Sequence, residues 1–161
     1  MAEMVNGAVR DYLASLTAGQ GALFAAARER SRTNRIPAVS PETAWFLHVL
    51  ASALSARRIF EIGTGYGVSG IAVMSGGADS VLFTVERDAA RAAVARELFE
   101  QAGLASRANV MIGSATRLVH KVAGPFDLIV QDGDKEQYGP LLDRLVALLR
   151  PGGVLVSDNI L

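Results

Sequence analysis

The chain has 161 residues, half of them hydrophobic, with sixteen acidic and sixteen basic side chains and no cysteine. That length suits one domain with a real core, and the even charge leaves no basic footprint for nucleic acid or anionic lipid, so the expected partner is a small, roughly neutral ligand or another protein. The missing cysteine excludes disulfides, thiolate metal sites and a cysteine nucleophile, and is compatible with a reducing compartment.

Met1 to Leu16 mixes Glu3, Arg10 and Asp11 into its apolar residues, unlike a signal peptide, and no run approaches the roughly 18 apolar residues of a membrane span. The expectation is a cytoplasmic protein without membrane attachment. Glu3 to Leu16 and Gly21 to Arg30 read as two short helices, and Thr33 to Pro37 breaks the pattern before Ser40-Pro41-Glu42 opens a third, about Pro41 to Ser55. Trp45 and Phe46 on that third helix are expected in the core, with Trp45 near the mouth of a ligand pocket. From Arg58 strands and helices alternate: strand Ile59 to Ile62, helix Val68 to Met74, strand Val81 to Val85, helix Ala89 to Ala102, strand Val110 to Ile112. Then come a helix from Ala115 to Val122, strand Phe126 to Val130, helix Tyr138 to Leu149 and strand Val154 to Val156. This pattern predicts an α/β fold with a doubly wound, mostly parallel sheet of about five strands. Residues 1–161 form a single domain in this reading, with 1–35 as a helical cap and 36–161 as the ligand-binding core.

After the first strand, Gly63-Thr64-Gly65-Tyr66-Gly67 lets the backbone turn tightly against a ligand before a helix starts. The letters from Gly65 fit GxGxxG, a weak signal alone, and Glu86 closes the second strand at the spacing where an acidic side chain accepts hydrogen bonds from ribose hydroxyls. An adenosine ligand is therefore expected. Glu61 sits just before the turn, where a dinucleotide would bring its pyrophosphate, and a carboxylate there repels phosphate. The same carboxylate suits the ammonium of S-adenosylmethionine, while Ser69 and the free amides of the helix start can hold its carboxylate.

Two acidic clusters follow the last two strands, Asp132-Gly133-Asp134-Lys135 and Asp158-Asn159, and both are expected at one sheet edge. Asp132, Asp158 and Asn159 offer only oxygen donors, which points to a hard divalent cation, Mg²⁺, Ca²⁺ or Mn²⁺. Each residue also has a plainer reading. Asp132 and Asp134 can cap a turn, Lys135 can be a solvated charge, His48 and His120 lack ligand-spaced partners, and Arg57-Arg58 suits a helix end.

With these residues in view, the sequence resembles the cation-dependent O-methyltransferases of the catechol and caffeoyl-coenzyme A type, particularly their small bacterial members. The likeness runs from about Ile36 to the last residue. Its motifs are Val39-Ser40-Pro41-Glu42, Glu61-Ile62-Gly63-Thr64-Gly65-Tyr66-Gly67, Thr84-Val85-Glu86-Arg87-Asp88, Gly124-Pro125-Phe126-Asp127, Asp132-Gly133-Asp134-Lys135 and Arg150-Pro151-Gly152-Gly153. The resemblance implies a Rossmann-like fold in which Glu61, Gly63, Thr64, Ser69 and Glu86 hold S-adenosylmethionine, with Val39, Ala115 and Asp134 beside them. It makes Asp132, Asp158 and Asn159 the ligands of a divalent cation, Mg²⁺ first among them, and Lys135 the general base of methyl transfer to a catechol-like or vicinal-diol acceptor. Two departures stand out. Ala44 and Trp45 replace a glycine and glutamine usual in relatives, and the family's two further strands and helix after the Asp-Asn pair have no counterpart before Leu161. An exposed edge along Gly153 to Ser157 then implies self-association, as a dimer, or a covering partner. The alternatives are a methyltransferase-like module that binds the cofactor without turnover and an NAD-dependent oxidoreductase.

Overall fold

The computed structural model describes residues 7–17 and 21–158. Asn159 and the expected start of the first helix lie outside these residues. Three helices precede the sheet: α1 (Gly7–Thr17), α2 (Ala22–Thr33) and α3 (Pro41–Ala53). The last begins as its sequence dictates, with Pro41 in the first turn and the Ser40 side chain accepting from the Thr43 amide at 3.1 Å. The alternating part comprises β1 (Arg58–Ile62), α4 (Val68–Ser75), β2 (Val81–Glu86), α5 (Ala89–Gln101), β3 (Ala108–Ile112), α6 (Ala115–Leu118), β4 (Phe126–Gln131), α7 (Tyr138–Leu148) and β5 (Leu149–Ser157). A 3-10 turn, Lys135–Gln137, leads into α7.

All four strand pairings are parallel, in the order β3-β2-β1-β4-β5. The chain winds outward from β1 to β3 and then returns to β4 on the other side, so the strand order reverses between β1 and β4. In such sheets ligands bind outside the carboxyl ends of the strands at this reversal. The inner strands are apolar on both faces because helices cover both. Ile59, Leu82, Leu128 and Val130 pack toward α2 to α5, while Phe60, Val85, Phe126 and Ile129 pack toward α6 and α7.

Three local expectations differ from the structure. α6 stops at Leu118 instead of Val122; Val119 and Val122 still reach the core, and their carbonyls accept from the Arg144 guanidinium at 3.3 Å each. β5 begins at Leu149 and carries Pro151-Gly152-Gly153 through a register shift against β4. Trp45 and Phe46 do not enter the core: they are 38% and 55% exposed, and α3 buries Ala44, Leu47 and Ala51 instead. The reason is close helix packing, since a Cβ at Gly76 would strike the His48 carbonyl and lie 3.1 Å from Ala51. Only small residues let α3 and the end of α4 approach so closely. Trp45 stacks on His48 with ring centroids 4.9 Å apart and lines a separate groove of about 220 Å³, away from the main cleft.

Candidate active site

The carboxyl ends of β1, β2 and β4 open into a cleft of about 610 Å³, within the range that holds a nucleoside-sized ligand. Val39, Gly63, Thr64, Ser69, Glu86, Ala115 and Asp134 line it, as do Asp132 and Lys135. The sequence had separated these residues by almost a hundred positions, and the reversal of strand order gathers them.

The turn after β1 is fitted closely to β4. Gly63 has φ +99, its amide bonds the Val85 carbonyl at 3.0 Å, and the Asp132 amide bonds the Ile62 carbonyl at 2.9 Å. Glu86, 5% exposed, fixes the turn from the other side: one carboxylate oxygen accepts from the Gly65 amide at 2.9 Å and the other from the Asp88 amide at 3.0 Å. A carboxylate has about four lone-pair sites, so Glu86 retains acceptor capacity toward the cleft.

Glu61 is not on the cleft wall. It is fully buried at the end of β1, beside Thr84 in register on β2, and accepts from the Ser69 and Thr84 hydroxyls at 2.6 Å each. Thr64 and Thr84 share a further bond of 2.6 Å. Of these groups Thr64 and Ser69 line the cleft, and Ser69 connects the carboxylate to it. Burial pushes the Glu61 carboxyl up to about 7 from its ordinary 4.5, against the two hydroxyl bonds, with Asp132 and Glu86 adding to the rise. The folded state therefore binds this proton between pH 4.5 and 7 where the unfolded chain has released it, and stability declines as pH rises through that window. The decline amounts to about 3 kcal/mol. Urea unfolding from pH 4.5 to 8 should show it, and Glu61→Gln should flatten the profile; a wild-type midpoint that does not fall would contradict the assignment.

Asp132 and Lys135 meet at the rim. The Lys135 ammonium donates to Asp132 Oδ1 at 3.1 Å, to the Tyr138 hydroxyl at 2.8 Å and to the Asp158 carbonyl at 2.9 Å. Burial pulls the lysine down, but the bonds to Tyr138 and Asp132 and the Asp132 charge outweigh it and hold it above the usual lysine range. Asp132 is raised, first by burial and then by the Asp158 charge, which together exceed the effect of Lys135. A second carboxylate that opposes the ionisation of Asp132 makes a cation beside it favourable. Among the described residues no three His, Cys, Asp or Glu side chains form a metal-sized cluster; Asp132 and Asp158 contribute two carboxylates, oxygen donors of the kind a hard cation takes. Asp134 caps the 3-10 turn through the Glu136 amide at 3.4 Å and faces Arg87 at 3.6 Å. No sequence motif marks Tyr138; its position three residues after Lys135 in a turn is the available signal.

The family model described as O-methyltransferase matches residues 22–161. The chain belongs to the O-methyltransferase family. Among other O-methyltransferases, catechol O-methyltransferase of Mycobacterium tuberculosis is 38% identical over 93% of this chain and 70% of its own length. The solved O-methyltransferase TomG of Streptomyces achromogenes, in complex with SAM, superposes with a TM-score of 0.89 at 30% identity, over 99% of this chain and 74% of that one. An O-methyltransferase of Bacillus cereus in complex with SAH gives 0.87 at 30%, over 94% and 72%. This O-methyltransferase has, among its described residues, no helix long and apolar enough to cross a membrane.

Proposed function

We propose that this chain transfers the methyl group of S-adenosylmethionine to a hydroxyl of a small catechol-like or vicinal-diol acceptor in the cytoplasm, assisted by a divalent cation, with Mg²⁺ the first candidate and Ca²⁺ or Mn²⁺ next. The observation that carries this reading is the shared cleft: the Gly63 turn and Glu86 on one side, Asp132 and Lys135 on the other. Relatives support it, since two similar O-methyltransferases were solved with SAM or SAH and a third, from Mycobacterium tuberculosis, is named catechol O-methyltransferase.

In this reading Glu86 accepts ribose hydroxyls with the lone pairs its backbone bonds leave free. Gly63 and Thr64 give the ligand its close approach, Val39, Ala115 and Asp134 complete the walls, and the α4 amides take the carboxylate, while Ser69, whose one proton goes to Glu61, offers its lone pairs to the ammonium. Glu61, its carboxyl pushed up by burial, faces the ammonium across Ser69, from whose hydroxyl it accepts. Asp132, Asp158 and Asn159 hold the cation. When bound, it supplies Lewis acidity toward a diol hydroxyl. Lys135 Nζ takes the acceptor proton as general base. The bonds to Tyr138 and Asp132 and the Asp132 charge hold it above the usual lysine range, so it must first give up one of the three protons it donates here, a loss favoured once a divalent cation on Asp132 offsets that charge.

Calorimetric titration with S-adenosylhomocysteine and with NAD tests the cofactor half. Binding of the former alone is expected; binding of NAD instead would move the chain to a dehydrogenase reading. We also propose self-association along β5, which pairs only with β4 among the described residues; a strictly monomeric chain by light scattering at high concentration would count against that.

A further inference from the structure

The Tyr138 hydroxyl lies where three segments of the site converge. It accepts from Lys135 Nζ at 2.8 Å, and its own proton faces the Gln131 carbonyl at 2.8 Å and the Asp158 carbonyl at 2.9 Å. Gln131 is the last residue of β4 and Asp158 the first after β5. One phenol thus ties both strand ends to the lysine between them.

We propose that Tyr138 is a positioning residue of the O-methyltransferase, whose hydroxyl aims the Lys135 amine and fixes the Asp158 backbone at the cleft rim. The inference rests on the function proposed above. Lys135 has three N–H donors, and each meets an acceptor: Tyr138 Oη, Asp132 Oδ1 and the Asp158 carbonyl. Its side chain is 47% exposed, so packing alone does not hold it. Four flexible carbons would otherwise let the ammonium swing into water. The Tyr138 ring adds an attraction, with Nζ 4.8 Å from its centroid, but a ring face does not fix direction as a hydroxyl acceptor does. The Asp158 carbonyl receives both Lys135 and Tyr138. Loss of the hydroxyl therefore loosens the backbone of one proposed cation ligand as well as the amine.

Tyr138→Phe keeps the ring and deletes the hydroxyl. The expected kcat for catechol methylation falls about 10- to 100-fold, from loss of a hydrogen bond to a charged group and of alignment. KM for catechol and S-adenosylhomocysteine affinity should move less than about twofold, and the thermal midpoint only a few degrees. Mn²⁺ affinity, read from free-ion electron paramagnetic resonance, should weaken severalfold. A direct readout of the amine comes from acylation by an N-hydroxysuccinimide ester with peptide mass spectrometry. Lys121 and Lys135 are the chain's two lysines, and Lys121 is exposed, so it serves as internal standard. Relative to Lys121, Lys135 should acylate several times faster in Tyr138→Phe than in wild type. An unchanged ratio overturns the inference, as does a kcat loss matched by equal losses of S-adenosylhomocysteine affinity and thermal midpoint, the mark of a purely structural tyrosine. Wild-type protein that binds no Mn²⁺ and methylates nothing would refute the proposed function instead, and the acylation ratio would still decide the role of Tyr138.

Discussion

Gly63→Ala should lower stability by about 3 to 5 kcal/mol and abolish S-adenosylhomocysteine binding. Gly63 has φ +99, where L side chains are strained, and a Cβ there would strike the Asp132 carbonyl oxygen and lie 2.7 Å from its carbon. Neither side can yield. The Gly63 amide is bonded to Val85 and the Asp132 amide to Ile62, so withdrawal of either segment breaks the contact between the exits of β1 and β4. A loss of this size is a large share of the 5 to 15 kcal/mol typical of a domain. Gly65→Ala is the matched control: φ is +52 and the nearest atom to its Cβ is the Pro37 carbonyl at 3.6 Å. A left-handed alanine there costs about 1 to 2 kcal/mol. Urea unfolding of both variants should separate them; equal, small losses would mean that the two strand exits are not locked as described.

Asp132→Ala should reduce methyl transfer about a thousandfold while leaving S-adenosylhomocysteine affinity within severalfold of wild type. The residue follows β4 at the strand-order reversal and contacts Lys135, so its loss removes both a proposed cation ligand and a partner of the base. Stability should change little, because burial already raises this carboxyl and deletion removes a group that folding disfavours in its charged form. Activity measured across Mg²⁺ concentrations checks this: near-wild-type turnover would remove Asp132 from the chemistry. A parallel collapse of cofactor affinity would make it a structural post.

The sheet was legible in the sequence because β1, β2 and β4 are short apolar runs flanked by turn residues, a pattern that buried parallel strands produce. The cleft was legible for the same reason: a glycine turn after one strand and acids after two others must meet at one edge once the strands are parallel. Orientation around α3 was not. That helix is apolar on several sides, so periodicity cannot say whether Trp45 or Ala44 faces inward; the answer depends on the approach of Gly76, a long-range contact. The place of Glu61 before the turn points to a cofactor ligand, whereas its full burial behind Ser69 depends on Thr84 in the neighbouring strand. Tyr138 is not legible because its proposed function depends on carbonyls at two strand ends whose juxtaposition sequence spacing does not reveal. Asn159 is the one proposed site residue outside the described structure.

The proposed reaction is methyl transfer from S-adenosylmethionine to a vicinal diol under the control of a divalent cation. It is tested most directly by incubating the chain with methyl-labelled S-adenosylmethionine, catechol and Mg²⁺ and analysing the product by mass spectrometry. Labelled monomethyl catechol is expected, lost on chelation and restored by added Mg²⁺. No methylated product from catechol or a panel of vicinal diols, in a chain that still binds S-adenosylhomocysteine, would contradict it.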